Sequence, residues 1–211
     1  MNGCHCGLDP QSPDNEINYI MMKKIVFIAV TVLFLTGFYA CEKGAGTDDY
    51  GFTYIYMPQA TVSGGLDNNY YVPSGEGVYT YNFKVDSMKG ELQILLGVLR
   101  SGDVSNAAYS VDIVARTDTT NQIISDGLVD NGMAFPSSLY SLPQKVDVDA
   151  NKSGASFYMT VPTEALKDNA YTDKNLILTV GIANPSKYEL STTNTSTVVI
   201  LDVDAIREYL P

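Results

Sequence analysis

The sequence predicts an all-β domain, an antiparallel Ig-like β-sandwich of about seven to nine strands with one or two short helical turns. Three observations carry this. Short runs rich in Val, Ile, Tyr and Thr recur along the chain, separated by Gly, Pro, Asn and Asp. Several of them alternate apolar and polar residues with the period of two that a half-buried strand requires. Only two short stretches read as helix. The Cys…Trp…Cys pattern of antibody domains is missing, so "Ig-like" describes architecture only.

The first strand is expected over Thr53–Met57, aromatic and β-branched, with Pro58 stopping it as an edge strand is stopped. Residues 64–69, Gly-Gly-Leu-Asp-Asn-Asn, read as a loop that carries on through Tyr70-Tyr71. Val78–Val85 alternates, with Tyr79, Tyr81, Phe83 and Val85 on one face. Leu92–Leu99 is more continuously apolar, as a central strand covered on both sides would be. Tyr109–Ala115 alternates again. Thr117–Asp126 suits a short helix, with Thr117 or Asp118 as N-cap and Gly127 as stop. Further strands are expected over Lys145–Asp149, Ala155–Val161, Leu176–Ala183 and Thr197–Val203, with one helical turn at Thr163–Lys167.

Upstream of the domain the chain reads as an address. Lys23 and Lys24 precede an uncharged apolar stretch, Ile25–Leu35, and Thr36–Ala40 leads to Cys41. A basic start, a short apolar run and small residues before a break make a secretory signal. The run is shorter than the roughly 18–20 apolar residues a membrane-spanning helix needs. Residues 35–41, Leu-Thr-Gly-Phe-Tyr-Ala-Cys, resemble a bacterial lipobox, in which the chain is cut before a cysteine that carries diacylglycerol. Phe38 and Tyr39 depart from the strict pattern and resemble looser Bacteroidetes variants. The resemblance implies lipidation of Cys41 and display on the outer membrane.

The domain plan follows: residues 1–21 as an upstream extension of the gene, 22–40 as lipoprotein signal peptide, 41–50 as flexible tether, 51–211 as the sandwich. Met22-Lys-Lys-Ile reads as the natural start, and Cys4-His5-Cys6 lacks both a fourth metal ligand and a folded context. From Cys41 onward there is no His, no Trp and no second Cys. That excludes Ser-His-Asp and Cys-His nucleophile systems and disfavours zinc, so no catalytic residue, metal or cofactor is expected. In the same span 21 acidic residues face 11 basic ones. A chain of that charge repels phosphate backbones, so nucleic acid is not an expected partner.

From about Tyr54 to Asp202 the order of signals resembles a Bacteroidetes surface-lipoprotein domain of unknown function. That domain is found N-terminal to family-18 glycoside hydrolase or lectin-like modules in polysaccharide-utilisation proteins. The residues that carry the resemblance are Tyr54–Ala60, then Leu139–Pro143 leading through Val146–Val148 to Gly154–Val161, and last Asn175–Ile182, Tyr188–Leu190, Asn194 and Thr197–Val199. The resemblance implies a β-sandwich, surface display and a glycan-related setting, and it supplies no catalytic residues.

The candidate sites are modest. Tyr70 and Tyr71, between Asn-rich and Pro/Gly-rich stretches, are the candidate ligand-binding residues, as a sugar-stacking platform or protein contact. Asp147/Asp149 and Asp202/Asp204 stand two residues apart, which on a strand puts each pair on one face. Paired carboxylates can hydrolyse glycosides, but such pairs more often make a solvated face. Asp67, Asp103 and Asp126 do not have the spacing of a calcium loop. Asp86-Ser-Met88 and Asp118-Thr-Thr120 resemble a short bacterial O-glycosylation pattern. The expected function is a non-enzymatic lipid-anchored surface protein that binds glycan or docks to a neighbouring outer-membrane protein. The rival is a structural spacer or adhesion subunit without a small-molecule ligand.

Overall fold

Long apolar strands in a chain of this size can be satisfied only by stacking sheet on sheet, and two sheets are what form. The structure, a computed structural model, describes residues 53–62, 68–75, 81–102 and 107–211, all within the compact unit Gly51–Pro211. Cys41, the signal and the tether, residues 1–21, and the first residues of the Val78–Val85 run lie outside the described residues.

Eleven strands occur among them: β1 Tyr54–Tyr56, β2 Asn69–Val72, β3 Phe83–Asp86, β4 Glu91–Arg100, β5 Tyr109–Ala115, β6 Gly132–Ala134, β7 Lys145–Val148, β8 Gly154–Pro162, β9 Asn175–Ala183, β10 Glu189–Leu190 and β11 Ser196–Asp202. The all-β sandwich stands as expected. Its sheets, however, are mixed rather than antiparallel throughout, because β1/β10, β2/β11 and β6/β9 pair in parallel. The extra strands have two to four residues, too short to show a period in sequence. Tyr54–Tyr56 is no edge strand either: β4 flanks it on one side and β10 on the other.

Each sheet is organised by one long strand with a divided edge. β4 pairs with β8 along one side, and on the other with β3 at its start and β1 at its end. β9 pairs with β11 along one side, and on the other with β6 at its start and β5 at its end. Where the two short strands do not meet, backbone groups of the long strand would be orphaned. In the first sheet the Gly97 amide donates to Oε1 of the buried Gln59, 3.2 Å away, on the short helix Gln59–Val62. In the second the Thr179 amide donates to Oγ1 of the buried Thr120 at 2.8 Å, and the Arg116 amide donates to the Thr179 carbonyl at 2.8 Å.

Thr120 belongs to the helix Thr117–Ser125, which forms as its sequence leads one to expect. Arg116 occupies its N-cap position without a side-chain cap bond, in place of Thr117 or Asp118, and Gly127 at φ 65° ends it. Ile123, Ile124 and Val129 cover Ile177, Val198 and Ile200 on the outer face of the second sheet. This makes β9 and β11 apolar on both faces, while their inner residues Leu176, Leu178, Val180, Val199 and Leu201 join the main core. Leu92, Ile94, Leu96 and Val98 of β4 meet them from the first sheet. The turn expected at Thr163–Lys167 forms as Thr163–Leu166, while Gln59–Val62, a 3-10 turn Asn169–Tyr171 and Val203–Arg207 go beyond the one or two turns expected.

Candidate functional site: a polar cleft beside an exposed tyrosine

The two tyrosines singled out by sequence lie on β2, not in a loop. β2 runs parallel to β11, with Tyr70 opposite Val199 and Tyr71 opposite Ile200. Adjacent strand residues point to opposite faces, so the two rings do not form one platform. Tyr70 turns inward: its hydroxyl donates to the Leu95 carbonyl of β4 at 2.9 Å, bridging the sheets. Burial pushes its pKa up to about 12, against a smaller lowering by a hydrogen bond with Asn82. Tyr71 turns outward and is 56% exposed. Its carbonyl accepts from Asn82 Nδ2 at 2.7 Å, which ties the free edge of β2 to the segment entering β3.

On the face that Tyr71 shares, two residues beyond Ile200, stands Asp202. Asp202 borders a cleft of about 330 Å³ lined by Asn131, Asp173, Lys174, Asn175, Asp202, Asp204, Ala205 and Glu208. Register explains the convergence. Asn175 opens β9 and pairs with Asp202 at the end of β11 and with Gly132 at the start of β6. Diagonal neighbours across adjacent strands lie within reach of long or aromatic side chains, roughly 7–8 Å apart. Tyr71 is not itself part of the lining; it stands on the same face of the sheet, on the strand next to the one that ends at Asp202.

The lining is pre-organised by its own hydrogen bonds. Asn175 Nδ2 donates to the Asp130 carbonyl at 2.8 Å and its amide to the Asn131 carbonyl at 3.2 Å, holding a turn in which Asn131 has φ 52°. Asp202 accepts from the Ala205 amide at 3.0 Å as the N-cap of the helix Val203–Arg207. Asp204 accepts from the Asp173 amide at 2.8 Å and from Arg207 Nη1 at 2.9 Å. The expected same-face pairing of Asp202 and Asp204 on a strand is therefore corrected: the strand ends at Asp202 and Asp204 belongs to the helix. Asp147 and Asp149 are both exposed, away from the cleft lining.

None of the four lining carboxylates is buried. Among the described residues no group of three or more His, Cys, Asp or Glu side chains is placed to hold a metal ion. What the cleft offers is amide and carboxylate hydrogen-bonding capacity with one ammonium, from Lys174. Sequence reasoning missed Asn131, Asp173, Lys174, Asn175 and Glu208. They come from three separate stretches with no shared spacing, and Asn131 and Asp173 in left-handed conformations were the faint local signal.

No family model matches the chain, and no curated protein matches it. Solved structures do. A Bacteroides ovatus protein of unknown function superposes with TM-score 0.50 at 15% identity, covering 70% of this chain and 46% of that one. A multidomain protein including DUF1735 from Bacteroides ovatus gives 0.46 at 16%, covering 72% and 45%. EndoBT-3987 of Bacteroides thetaiotamicron, solved with Man5GlcNAc product, gives 0.44 at 13%, covering 71% and 30%. The likeness is one of fold, and the chain spans less than half the length of each of these structures.

Proposed function

We propose that the protein is a non-enzymatic, lipid-anchored surface protein whose sandwich binds glycan through the polar cleft beside Tyr71. The observation that carries this reading is the amide- and carboxylate-lined cleft where β11 ends, with the exposed ring of Tyr71 on the adjacent strand. A pyranose has hydroxyls at its rim and an apolar C–H face, so it matches such a lining on both counts. A non-enzymatic role is supported by the carboxylates themselves. A general acid working at neutral pH needs a carboxyl kept protonated by burial. Here Asp202 and Asp204 are committed to a helix cap and an ion pair, and Asp173 and Glu208 are open to water.

Anchoring through Cys41 is supported by the basic and apolar segments before it. Acyl chains contribute about 0.8 kcal/mol per buried methylene, so the two or three chains of a lipoprotein hold the protein at the membrane. Membrane fractionation after labelling with a fatty-acid probe tests this: label and membrane retention are expected for the native chain and lost in Cys41→Ser. Calorimetric titration of the full chain in detergent against a glycan panel tests the binding reading. Heat abolished by Asn175→Ala supports it, and silence across the panel defeats it. Release of reducing sugar by the native chain would overturn the non-enzymatic part alone.

A further inference from the structure

Beyond the cleft lies a second aromatic surface that neither β2 nor the cleft lining includes. The helix Val203–Arg207 continues through one more turn, since the Tyr209 amide donates to the Ile206 carbonyl at 3.0 Å and the Leu210 amide to the Arg207 carbonyl at 3.2 Å. Residues three and four apart share a helix face. Ile206 and Leu210 turn to the core, while Ala205 and Glu208 line the cleft. Tyr209, next to Glu208 and four residues after Ala205, stands beside that row without lining the cleft and is 41% exposed.

Its ring does not stand alone. It meets Tyr81 edge-on at 5.4 Å and Phe83 edge-on at 5.2 Å, each at an interplanar angle of 72°. Tyr81 in turn stacks on Phe83 at 5.2 Å. A hydrogen bond with Tyr81 raises the Tyr209 pKa above the ordinary phenol value. Phe83 is buried, so the two tyrosines cover the core at this point while Tyr209 keeps part of its surface open to solvent. Asn82, between Tyr81 and Phe83, holds the Tyr71 carbonyl, so both aromatic surfaces are tied to the same segment.

Resting on the reading of the cleft as a glycan site, we infer that Tyr209 and Tyr81 form a second, aromatic subsite that receives a further sugar unit of the same chain. The ligand is thereby defined as an oligosaccharide rather than a single sugar. Glu208 lines the cleft and the partly exposed Tyr209 follows it on the same turn, so hydrogen-bonding groups and an aromatic ring are neighbours there, as a ligand with polar rims and apolar faces requires. With Asp173, Asp202, Asp204 and Glu208 against Lys174, the path favours uncharged sugars over uronates or sulfated units.

The test compares matched short and long sugars on the full-length chain in detergent: cellobiose with cellohexaose, maltose with maltohexaose, mannobiose with mannohexaose. The native chain is expected to bind the hexasaccharide of at least one pair about tenfold more tightly than its disaccharide. Tyr209→Leu, which keeps apolar volume but removes the flat face, should erase that gain and leave disaccharide affinity unchanged. Tyr209→Phe should restore it. A length gain that persists in Tyr209→Leu, with melting unchanged, overturns the subsite while the cleft reading survives. Disaccharide and hexasaccharide binding equally in the native chain does the same. No binding of any pair overturns both.

Discussion

Tyr70 and Tyr71 are neighbours in sequence with opposite duties, and substitution should separate them. Tyr71→Ala removes an exposed ring that makes no core contact, so melting should stay within about a degree of the native value while glycan affinity falls about tenfold. Tyr70→Phe should do the reverse. The Leu95 carbonyl loses its donor, so unfolding in urea should shift by about 1 kcal/mol with affinity unchanged. Tyr70→Phe lowering affinity without lowering stability would contradict its placement between the sheets. Arg207 shows how one side chain can hold the segment from Leu166 to Thr172 against the C-terminal helix. It donates to the carbonyls of Leu166 at 2.8 Å and Asp168 at 2.6 Å, to Thr172 Oγ1 at 3.0 Å and to Asp204 at 2.9 Å. A lysine has no planar fork to reproduce this, so Arg207→Lys should speed hydrogen exchange over residues 168–173 nearly as much as Arg207→Met.

At the scale of elements, the short helices complete the sheets rather than merely connecting strands. Gln59 and Thr120 each fill a gap in the edge of a long strand with a side-chain oxygen. Replacing either with an apolar side chain of similar size leaves a buried amide unsatisfied, which costs about 1–3 kcal/mol. Gln59→Met and Thr120→Val should each lower unfolding free energy by that order in urea titration. The two sites serve different sheets and share no partner, so the double variant should show the sum. A double variant no worse than either single one would mean that the gaps close by rearrangement. The helix Thr117–Ser125 adds a second role by covering Ile177, Val198 and Ile200.

For the whole molecule, two inward tyrosines set its response to alkali. Burial pushes Tyr70 up to about 12, and Tyr109 also to about 12, with Arg100 partly offsetting the effect at Tyr109. In the unfolded chain these phenols ionise near their ordinary value of about 10. Between about pH 10 and 12 the unfolded state therefore binds fewer protons than the folded one, and stability falls as pH rises. Melting temperature should be flat with respect to these groups below pH 10 and drop steeply above it. The Tyr70→Phe/Tyr109→Phe double variant, less stable at pH 8, should lose less on going from pH 8 to pH 11.

Much of the fold was legible because burial leaves a period in sequence. The continuous run Leu92–Leu99, the alternating Tyr109–Ala115 and the helix ending at Gly127 all appear where pattern and propensity place them. The expectation at Cys41, which lies outside the described residues, rests on the same local kind of information, a spacing readable without any fold. What sequence could not supply was pairing across long separations. β2 and β6 are strands because β11 and β9 offer them a backbone edge, and a partner's hydrogen-bonding groups leave no mark on residues three or four long. The candidate site has the same origin. Asn131, Asn175 and Asp202 meet because β6, β9 and β11 align in register, and one step of slip would turn every side chain of a strand to its other face. Sequence determined what each segment could bury; only the packed sheets decided which polar groups were left together at their border.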